Sequence, residues 1–322
     1  MPSRRHRKIA RGRAEPGTAG RLRRLAALAA TVLLISGSSA CAADPAPRSA
    51  PQVDYVATYV WSMDDDTFGG FSGIEISPDG SRFTVLSDRA TLRWGHIERD
   101  TEGRIQGMEP SGQAHLLDSK GKWLKPGWQG DSEGLAIGPD GTLWVSFEGL
   151  TRVVRYDSPD SRGQPLPKPA EFRSMQRNSS LEALAIMPDG TLLTLPERSG
   201  EITRPFPVWR WRNGKWDQPF SIPRTGDWLA VGADVGPDGR FYLLERDFRG
   251  LLGFRSRVRR FDITDKSLSN ETVLLETRSL QYDNLEGISV WRDGQGIRLT
   301  MVSDDNFGMF QRTELVEYRV TE

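Results

Sequence analysis

Short runs of leucine, β-branched and aromatic residues alternate with polar positions along this chain, and tight Asp-Gly turns interrupt them. One pattern recurs five times: an apolar run, a turn centred on Asp-Gly, and a second apolar run. Because Asp-Gly supplies the positive φ that a tight hairpin needs, each copy predicts two antiparallel strands. The five copies occupy residues 72–89, 133–149, 182–198, 231–246 and 286–305.

Further strands are predicted after most of these hairpins. Residues 151–157 and 256–263 alternate apolar with basic side chains, as half-exposed strands do, and 208–216 and 313–320 are similar. The outer strands are predicted at 170–175, 217–222 and 271–276. Four short strands in each repeat of about fifty residues indicate the blade of a β-propeller. A β-sandwich, the alternative architecture, does not explain that period.

We therefore predict an all-β fold, a β-propeller with five recognisable four-stranded blades. A sixth, degenerate blade is the alternative, and it would fall in residues 90–130, where the repeats are furthest apart. The last copy lacks an outer strand, whereas the strand-like segment 53–61 precedes the first copy. We expect this N-terminal strand to complete the last sheet and so close the ring.

The N-terminal part of the chain has a different composition. Nine basic residues and one acidic residue fall within residues 1–24, and an apolar segment with a small-residue end follows at 24–41. This pattern predicts an export signal over 1–41, a Pro/Ala-rich tether over 42–52 and a single propeller domain over 53–322. Cys41, the chain's single cysteine, favours a lipoprotein signal, and ordinary cleavage after Ala40 or Ala42 is the alternative.

These features predict an exported protein, either a cell-surface lipoprotein held to the membrane by a lipid on Cys41 or a secreted or periplasmic protein. We expect a monomer. Without residues 1–24 the chain keeps 34 basic and 42 acidic side chains. A protein with that excess of acid is poorly suited to neutralise phosphates, so we expect no nucleic-acid partner. One cysteine allows no internal disulfide.

Acidic residues recur at two positions of the repeat. In a propeller blade the first strand lines the central channel and the second runs antiparallel to it, so the start of the first and the end of the second lie at one rim. We expect eight carboxylates to meet there: Glu133, Glu182 and Glu286 before first strands, and Asp88, Glu148, Glu197, Glu245 and Asp304 after second strands.

Carboxylates so close together repel one another unless a cation or basic partner intervenes. A hard cation such as Ca²⁺, which takes six to eight oxygen ligands, suits such a set. The alternative is that each acid forms an ion pair with the arginine that directly follows it in the sequence. Arg89, Arg198 and Arg246 are arginines in that position. The same arginines are suited to hold an anionic group, and we assign substrate orientation to Arg198 and Arg246.

Other catalytic chemistries fit the sequence poorly. After the export signal only His96 and His115 remain, and no G-x-S-x-G motif occurs, which disfavours a serine nucleophile. One cysteine and two histidines exclude a Cys/His zinc cluster, and neither a P-loop nor a dinucleotide fingerprint is present.

The segments "DSEGLAIGPDGTLWVSFEG", "GPDGRFYLLERDF" and "SDDNF" resemble the phytase-like family of exported bacterial propellers, named for "esterase-like activity of phytase". The resemblance spans about residues 54–320. It implies hydrolysis of phosphate or carboxylic esters, and, by analogy with propeller lactonases and alkaline phytases, calcium at the carboxylate-rich rim. Val231, where Glu is expected, and Ala183, where Gly is expected, depart from the pattern.

Two hypotheses about function follow. The first is cation-dependent hydrolysis of a small anionic ester, with Glu133, Glu182, Glu286 and Asp304 as the main ligands. The alternative is a non-catalytic surface propeller that binds a protein or a cell-wall ligand.

Overall fold

The protein is built almost entirely from short strands separated by tight turns. The computed structural model describes residues 50–176 and 179–322, so the predicted export signal and nearly all of the predicted tether lie outside the described residues. Two short 3₁₀ turns, Ala170–Ser174 and Gly250–Leu252, are the helical elements of the described part. The strands are, in chain order, β1 (Gln52–Trp61), β2 (Phe71–Ile76), β3 (Arg82–Ser87), β4 (Thr91–Arg99), β5 (Ile105–His115), β6 (Ser132–Ile137), β7 (Leu143–Phe147), β8 (Arg152–Tyr156), β9 (Gln164–Pro165), β10 (Leu181–Ile186), β11 (Leu192–Pro196), β12 (Phe206–Arg212), β13 (Lys215–Ile222), β14 (Leu229–Val235), β15 (Phe241–Phe248), β16 (Phe254–Ile263), β17 (Leu268–Glu276), β18 (Asn284–Arg292), β19 (Ile297–Asp304) and β20 (Thr313–Thr321).

These strands form five antiparallel four-stranded sheets, which confirms the predicted five-bladed propeller. Blade 1 is β2–β5, blade 2 is β6–β9, blade 3 is β10–β13, blade 4 is β14–β17, and blade 5 is β18, β19, β20 and β1. Residues 90–130 supply the two outer strands of blade 1 and the long connection to blade 2, so they do not form a sixth blade. Strand β1 pairs antiparallel with β20, so the N-terminal strand completes the last sheet as expected.

The Asp-Gly turns have the same internal hydrogen bond in every blade. Each turn aspartate accepts a hydrogen bond through its side chain from the backbone N–H two residues later; the pairs are Asp79 with Ser81, Asp140 with Thr142, Asp189 with Thr191, Asp238 with Arg240, and Asp293 with Gln295. In the first four turns the glycine has a positive φ, for example 83° at Gly141. This local bond fixes the hairpin and therefore the register between the first two strands of each blade.

The hydrophobic core is divided into five layers, one between each pair of adjacent blades. Between blades 4 and 5, for example, Val231 and Leu244 pack with Ile288 and Leu299. Between blades 5 and 1, Trp61 stacks on Phe71 with ring centroids 5.5 Å apart. Because both faces of each blade are covered, the repeated apolar runs of the sequence are buried and the ring is held together by side-chain packing.

The first strands of the five blades lie around the central channel, where their channel-facing edges have no neighbouring strand. Polar side chains from the preceding blade satisfy several of these edge N–H groups. The acceptor and donor pairs are Ser289 Oγ with Ile76 N (2.9 Å), Glu75 Oε1 with Ile137 N (3.3 Å) and Asp234 Oδ2 with Val290 N (2.6 Å). These three acceptors stabilise the contact between neighbouring first strands.

We call the end of the channel where the first strands begin the mouth. The second strands end at the mouth, and so do the connections from each outermost strand to the next blade. Within the described ranges, no helix is long and apolar enough to cross a membrane.

Candidate functional site

A β-bulge interrupts the start of each first strand, and in blades 2, 3 and 5 it places a glutamate side chain at the mouth. The register shifts between Leu181 and Ala183 in blade 3 and between Leu285 and Gly287 in blade 5, so Glu182 and Glu286 are the extra residues. In blade 2 the shift lies between Ser132 and Leu135 and includes Glu133. A bulge re-aims a side chain that a regular strand would direct elsewhere. The bulge residues of blades 1 and 4 are Ser72 and Val231.

The glycine that follows the bulge residue reflects close contact between blades at this level. A Cβ added to Gly134 would lie 2.5 Å from the carbonyl oxygen of Glu182 in the next blade. The same addition at Gly232 would lie 2.5 Å from the carbonyl oxygen of Glu286. The glycine therefore lets the neighbouring strand approach, and this approach brings the glutamates of successive blades together.

The second position of the repeat lies at or near the end of each second strand, one residue after the partner of the residue that precedes the bulge. Pro196 pairs with Leu181, Phe147 with Ser132, and Ser87 with Phe71, so the next residues face the mouth. In blade 5 the equivalent residue pairs with Asn284. The residues at this position are Asp88, Glu148, Glu197, Arg246 and Asp304.

The expectation that Glu245 joins this set is wrong. Glu245 pairs with Ala230, which makes it equivalent to Pro196 and Ser303 of the neighbouring blades. Consecutive side chains of a strand point to opposite faces, so a one-residue error in alignment moves the side chain away from the mouth. Glu245 is fully buried within its own blade and accepts hydrogen bonds from two arginines, Arg257 Nε at 2.8 Å and Arg259 Nη2 at 2.7 Å.

Seven of the eight predicted carboxylates do converge at the mouth, and an eighth carboxylate joins them. They line a cavity of about 340 Å³, whose walls comprise Asp88, Asp131, Glu133, Glu148, Glu182, Glu197, Arg198, Arg246, Glu286, Asp304 and Asn306. Sequence reasoning missed Asp131. The sequence feature that could have identified Asp131 is its position two residues before the bulge glutamate. Polar residues occupy the same position in blade 5 (Asn284) and blade 3 (Ser180).

Burial and mutual repulsion raise the pKa values of these carboxyl groups. Burial, followed by repulsion from neighbouring acids, raises the pKa of Glu133 and of Glu182 well above the usual value. Burial also raises the pKa of Asp88 to about 6, of Glu148 to about 7 and of Asp304 to about 8. In the absence of a cation, part of this set therefore carries protons near neutral pH.

Arg246 is the internal counter-ion of the mouth. Its Nη1 donates to Glu286 Oε1 and to Asn284 Oδ1 (3.0 Å), and its Nη2 donates to Glu197 Oε1 at 3.0 Å. Burial opposes the charge of this guanidinium, but attraction to Glu286 and Glu197 outweighs burial and raises its pKa. Arg246 thus joins the acids of blades 3 and 5 across blade 4, where the repeat lacks acid at both mouth positions.

Two groups of carboxylates at the mouth have a geometry that suits a cation. The groups are Asp131, Glu133 and Glu148, and Glu148, Glu182 and Glu197, and within each group one oxygen per residue lies within 4.8 Å of the others. That separation is about twice the 2.3–2.6 Å length of a Ca²⁺–oxygen bond, so one ion can reach all three oxygens of a group. Glu148 belongs to both groups.

The remaining predicted residues have different surroundings. Arg198 lines the cavity with 44% of its side chain exposed, and its Nε lies 3.3 Å from Glu197 Oε2. Arg89 instead stacks on Phe307, with its guanidinium carbon 3.2 Å from the ring centroid. Asp304 lines the cavity and accepts a hydrogen bond from Asn306 N at 2.7 Å. The simple alternative, in which every acid pairs with the next arginine, therefore describes only Glu197 within the mouth.

A sequence model of the phytase-like family, described as esterase-like activity of phytase, matches residues 66–307. The matched range contains all five hairpins and the residues of the mouth. The chain belongs to the phytase-like family. In this phytase-like protein, both the Glu-Gly motif and the acids after the second strands fall inside the matched range and at the mouth.

Comparison of the phytase-like propeller with solved structures gives distant likenesses. The PQQ-bound aldose sugar dehydrogenase from Streptomyces coelicolor is 15% identical, with a TM-score of 0.47, and the match covers 86% of this chain and 100% of that one. A gluconolactonase from Xanthomonas campestris is 15% identical, with a TM-score of 0.41 and coverage of 74% and 69%. Scores this low identify no activity. The comparison with curated proteins finds no match.

Proposed function

We propose that this protein is an exported propeller that hydrolyses phosphate or carboxylic esters at the mouth with the help of a bound divalent cation, Ca²⁺. The observation that carries the proposal is the convergence of eight carboxylates from four blades on one cavity. Membership of a family named for esterase-like activity supports the choice of reaction. Export, attachment through a lipid on Cys41 and a monomeric state belong to the same proposal and rest on the sequence alone.

The donor set fits a hard cation. Every candidate ligand is a carboxylate, and Glu133, Glu148 and Glu182 are buried, which limits competition from water. Asp131 and Glu197 complete the two groups. When bound, such a cation supplies charge that polarises the oxygen of an ester and lowers the pKa of a coordinated water.

The two arginines assigned to the substrate take different roles in this proposal. Arg246 donates hydrogen bonds to Glu197, Glu286 and Asn284, so we assign it to holding the acids of the mouth in place. Arg198 has one long contact, to Glu197, and its side chain is 44% exposed. We therefore assign contact with an anionic substrate to Arg198 alone.

The test is an assay of the purified propeller on aryl phosphates and aryl carboxylic esters, with Ca²⁺ and with chelator. We expect turnover of at least one class that chelator abolishes and that Glu148→Gln strongly reduces. Glu109→Gln is the matched control, since it neutralises an exposed carboxylate on the outer strand β5. Absence of chelator-sensitive turnover on both classes would refute the hydrolase.

A specific observation favours the alternative function, a surface that binds a protein or cell-wall ligand. Loops on the mouth side expose large apolar side chains, among them Leu251, Met309 and Phe310, each more than 90% exposed. Such side chains are typical of contact surfaces. This alternative predicts a protein that gains stability from Ca²⁺ yet turns over no ester. Turnover, not thermal stability, separates the two functions, because a bound ion raises the melting temperature in both cases.

A further inference from the structure

A third arginine lies beside Arg198 on the blade 3 side of the mouth. Arg224 belongs to the connection from β13 to β14, which reaches the mouth face. Its Nη1 lies 3.4 Å from the carbonyl oxygen of Glu201, in the same loop that carries Arg198. Its guanidinium carbon lies 5.5 Å from the ring centroid of Phe206, which fixes the side chain against the start of β12.

Not every N–H donor of the Arg224 guanidinium has a hydrogen-bond acceptor. The Nε of Arg224 is buried and, among the described residues, has no hydrogen-bond partner. Burial and repulsion from Arg198 both lower the pKa of Arg224. A buried donor without a partner destabilises the folded protein, and so does the proximity of two guanidinium groups.

The carboxylates near Arg224 do not resolve this imbalance. Glu197 already accepts hydrogen bonds from Arg198 and Arg246. Glu245 already accepts hydrogen bonds from two other arginines within blade 4. Asp227, the acid that attracts Arg224 most strongly, is exposed to solvent, which screens the attraction. The Nε of Arg224 therefore has no acceptor among the described residues, at one edge of an otherwise acidic mouth.

We propose that Arg198 and Arg224 form an anion subsite at the edge of the mouth, and that this subsite takes the phosphate group of a phosphate ester. Guanidinium groups donate paired N–H groups that match the oxygens of phosphate, and the planar fork is suited to this geometry. The carboxylate groups suited to a cation include Glu197, directly beside Arg198. The mouth thus has an acidic side for the cation and a basic edge for the anion.

The inference rests on the proposed function only for the identity of the ester, since phosphate binding is measurable without turnover. It narrows the substrate class to esters that carry a phosphate. It also makes phosphate binding depend on the cation, because the surrounding carboxylates repel an anion until a cation neutralises them.

The experiment is titration calorimetry of inorganic phosphate into the whole protein saturated with Ca²⁺. The variants are Arg224→Gln and Arg224→Lys, and the matched control is Arg278→Gln, which removes one exposed positive charge from another mouth-side connection. We expect Arg224→Gln to weaken phosphate binding about tenfold to a hundredfold, Arg224→Lys to restore part of the affinity, and Arg278→Gln to leave it unchanged. Thermal unfolding of each variant shows whether the fold is retained.

A kinetic comparison separates this inference from the proposed function. Arg224→Gln should raise KM for an aryl phosphate by a larger factor than KM for an uncharged aryl acetate, and the ratio of the two factors is the readout. Phosphate binding that depends on Arg224 in a protein without turnover would support the subsite and refute the hydrolase. Equal phosphate affinity in Arg224→Gln and Arg278→Gln, or no phosphate binding by the Ca²⁺-saturated wild-type protein, would overturn the subsite whatever the turnover.

Discussion

Blades 3 and 4 have the same order of four antiparallel strands and opposite chemistry at the mouth. Blade 3 presents Glu182 at its bulge and Glu197 after its second strand, whereas blade 4 presents Val231 and Arg246 at the same two positions. Blade 3 adds negative charge to the cavity. Blade 4 supplies the guanidinium of Arg246, which joins Glu197 to Glu286. The comparison teaches that the departures from a repeat, as much as the repeat itself, determine what such a mouth can bind.

Making blade 4 resemble blade 3 should have the largest effect. Arg246→Glu removes the buried partner of Glu197 and Glu286 and adds another carboxylate to the mouth. Removing one partner of a buried ion pair costs about 3–5 kcal/mol, so we expect a loss of that order in the free energy of unfolding with chelator present. Chemical denaturation measures it, with Arg278→Gln as the control.

Added Ca²⁺ should recover part of that loss, because a cation can replace the missing positive charge. An Arg246→Glu protein as stable as wild type in chelator would show that Arg246 is not the counter-ion of the mouth.

Weakening the acidic blades should affect the cation first. Glu148 belongs to both candidate ligand groups, so Glu148→Gln should lower Ca²⁺ affinity by roughly 10–100-fold, an effect of the size that loss of supporting groups at a metal site produces. Calorimetric titration of Ca²⁺ measures the affinity, with Glu109→Gln as the control. Equal affinities for the two variants would place the cation elsewhere or exclude it.

The acidic side of the mouth should also make stability depend on pH. The pKa values of Asp88, Glu148 and Asp304 are raised to about 6, 7 and 8. The folded protein therefore binds more protons than the unfolded chain between about pH 4 and 8, so the free energy of unfolding falls as pH rises through this window.

We expect a decrease of several kcal/mol between pH 5 and pH 8.5 in chelator, and a smaller decrease with Ca²⁺. Denaturation at a series of pH values measures both. Stability that increases with pH in chelator would mean that the mouth carboxylates are already ionised and paired in the folded protein.

Most of the fold was predictable from the sequence because its determinants are local. The outer strand predicted at 170–175 is wrong, since Ala170–Ser174 form a 3₁₀ turn and Gln164–Pro165 pair with β8 instead. Each Asp-Gly turn fixes a hairpin, and the period of about fifty residues follows from four short strands in each blade. Closure by the N-terminal strand was predictable as well, since residues 53–61 were the one strand-like segment without a blade.

The residues of the mouth were predictable only in blades where the sequence also reveals the pairing register of the second strand. Glu148 and Glu197 each follow their turn aspartate by eight residues, and in blade 4 the residue eight positions after Asp238 is Arg246. Aligning "LER" (244–246) with "PER" (196–198) places Glu245 at the position of Glu197 instead. The partners of Arg246 lie 49 and 40 positions away in the chain, so no local pattern reveals them.

The smallest expected effects concern the glycine that brings neighbouring blades together. Gly134→Ala places a Cβ 2.5 Å from the carbonyl oxygen of Glu182 and should cost about 1–2 kcal/mol of unfolding free energy, because the first strands of blades 2 and 3 must move apart. Blade 3 already carries Ala183 at the equivalent position, so Ala183→Gly should cost only about 0.5–1 kcal/mol, through the greater freedom of glycine in the unfolded chain.

The pair distinguishes crowding from a general effect of glycine. Since Gly134→Ala moves Glu133 relative to Glu182, it should also weaken Ca²⁺ binding, whereas Ala183→Gly should not. If both variants lose the same affinity for Ca²⁺, the spacing between blades 2 and 3 does not set the geometry of the acidic side, and the cation must be held by ligands from within single blades.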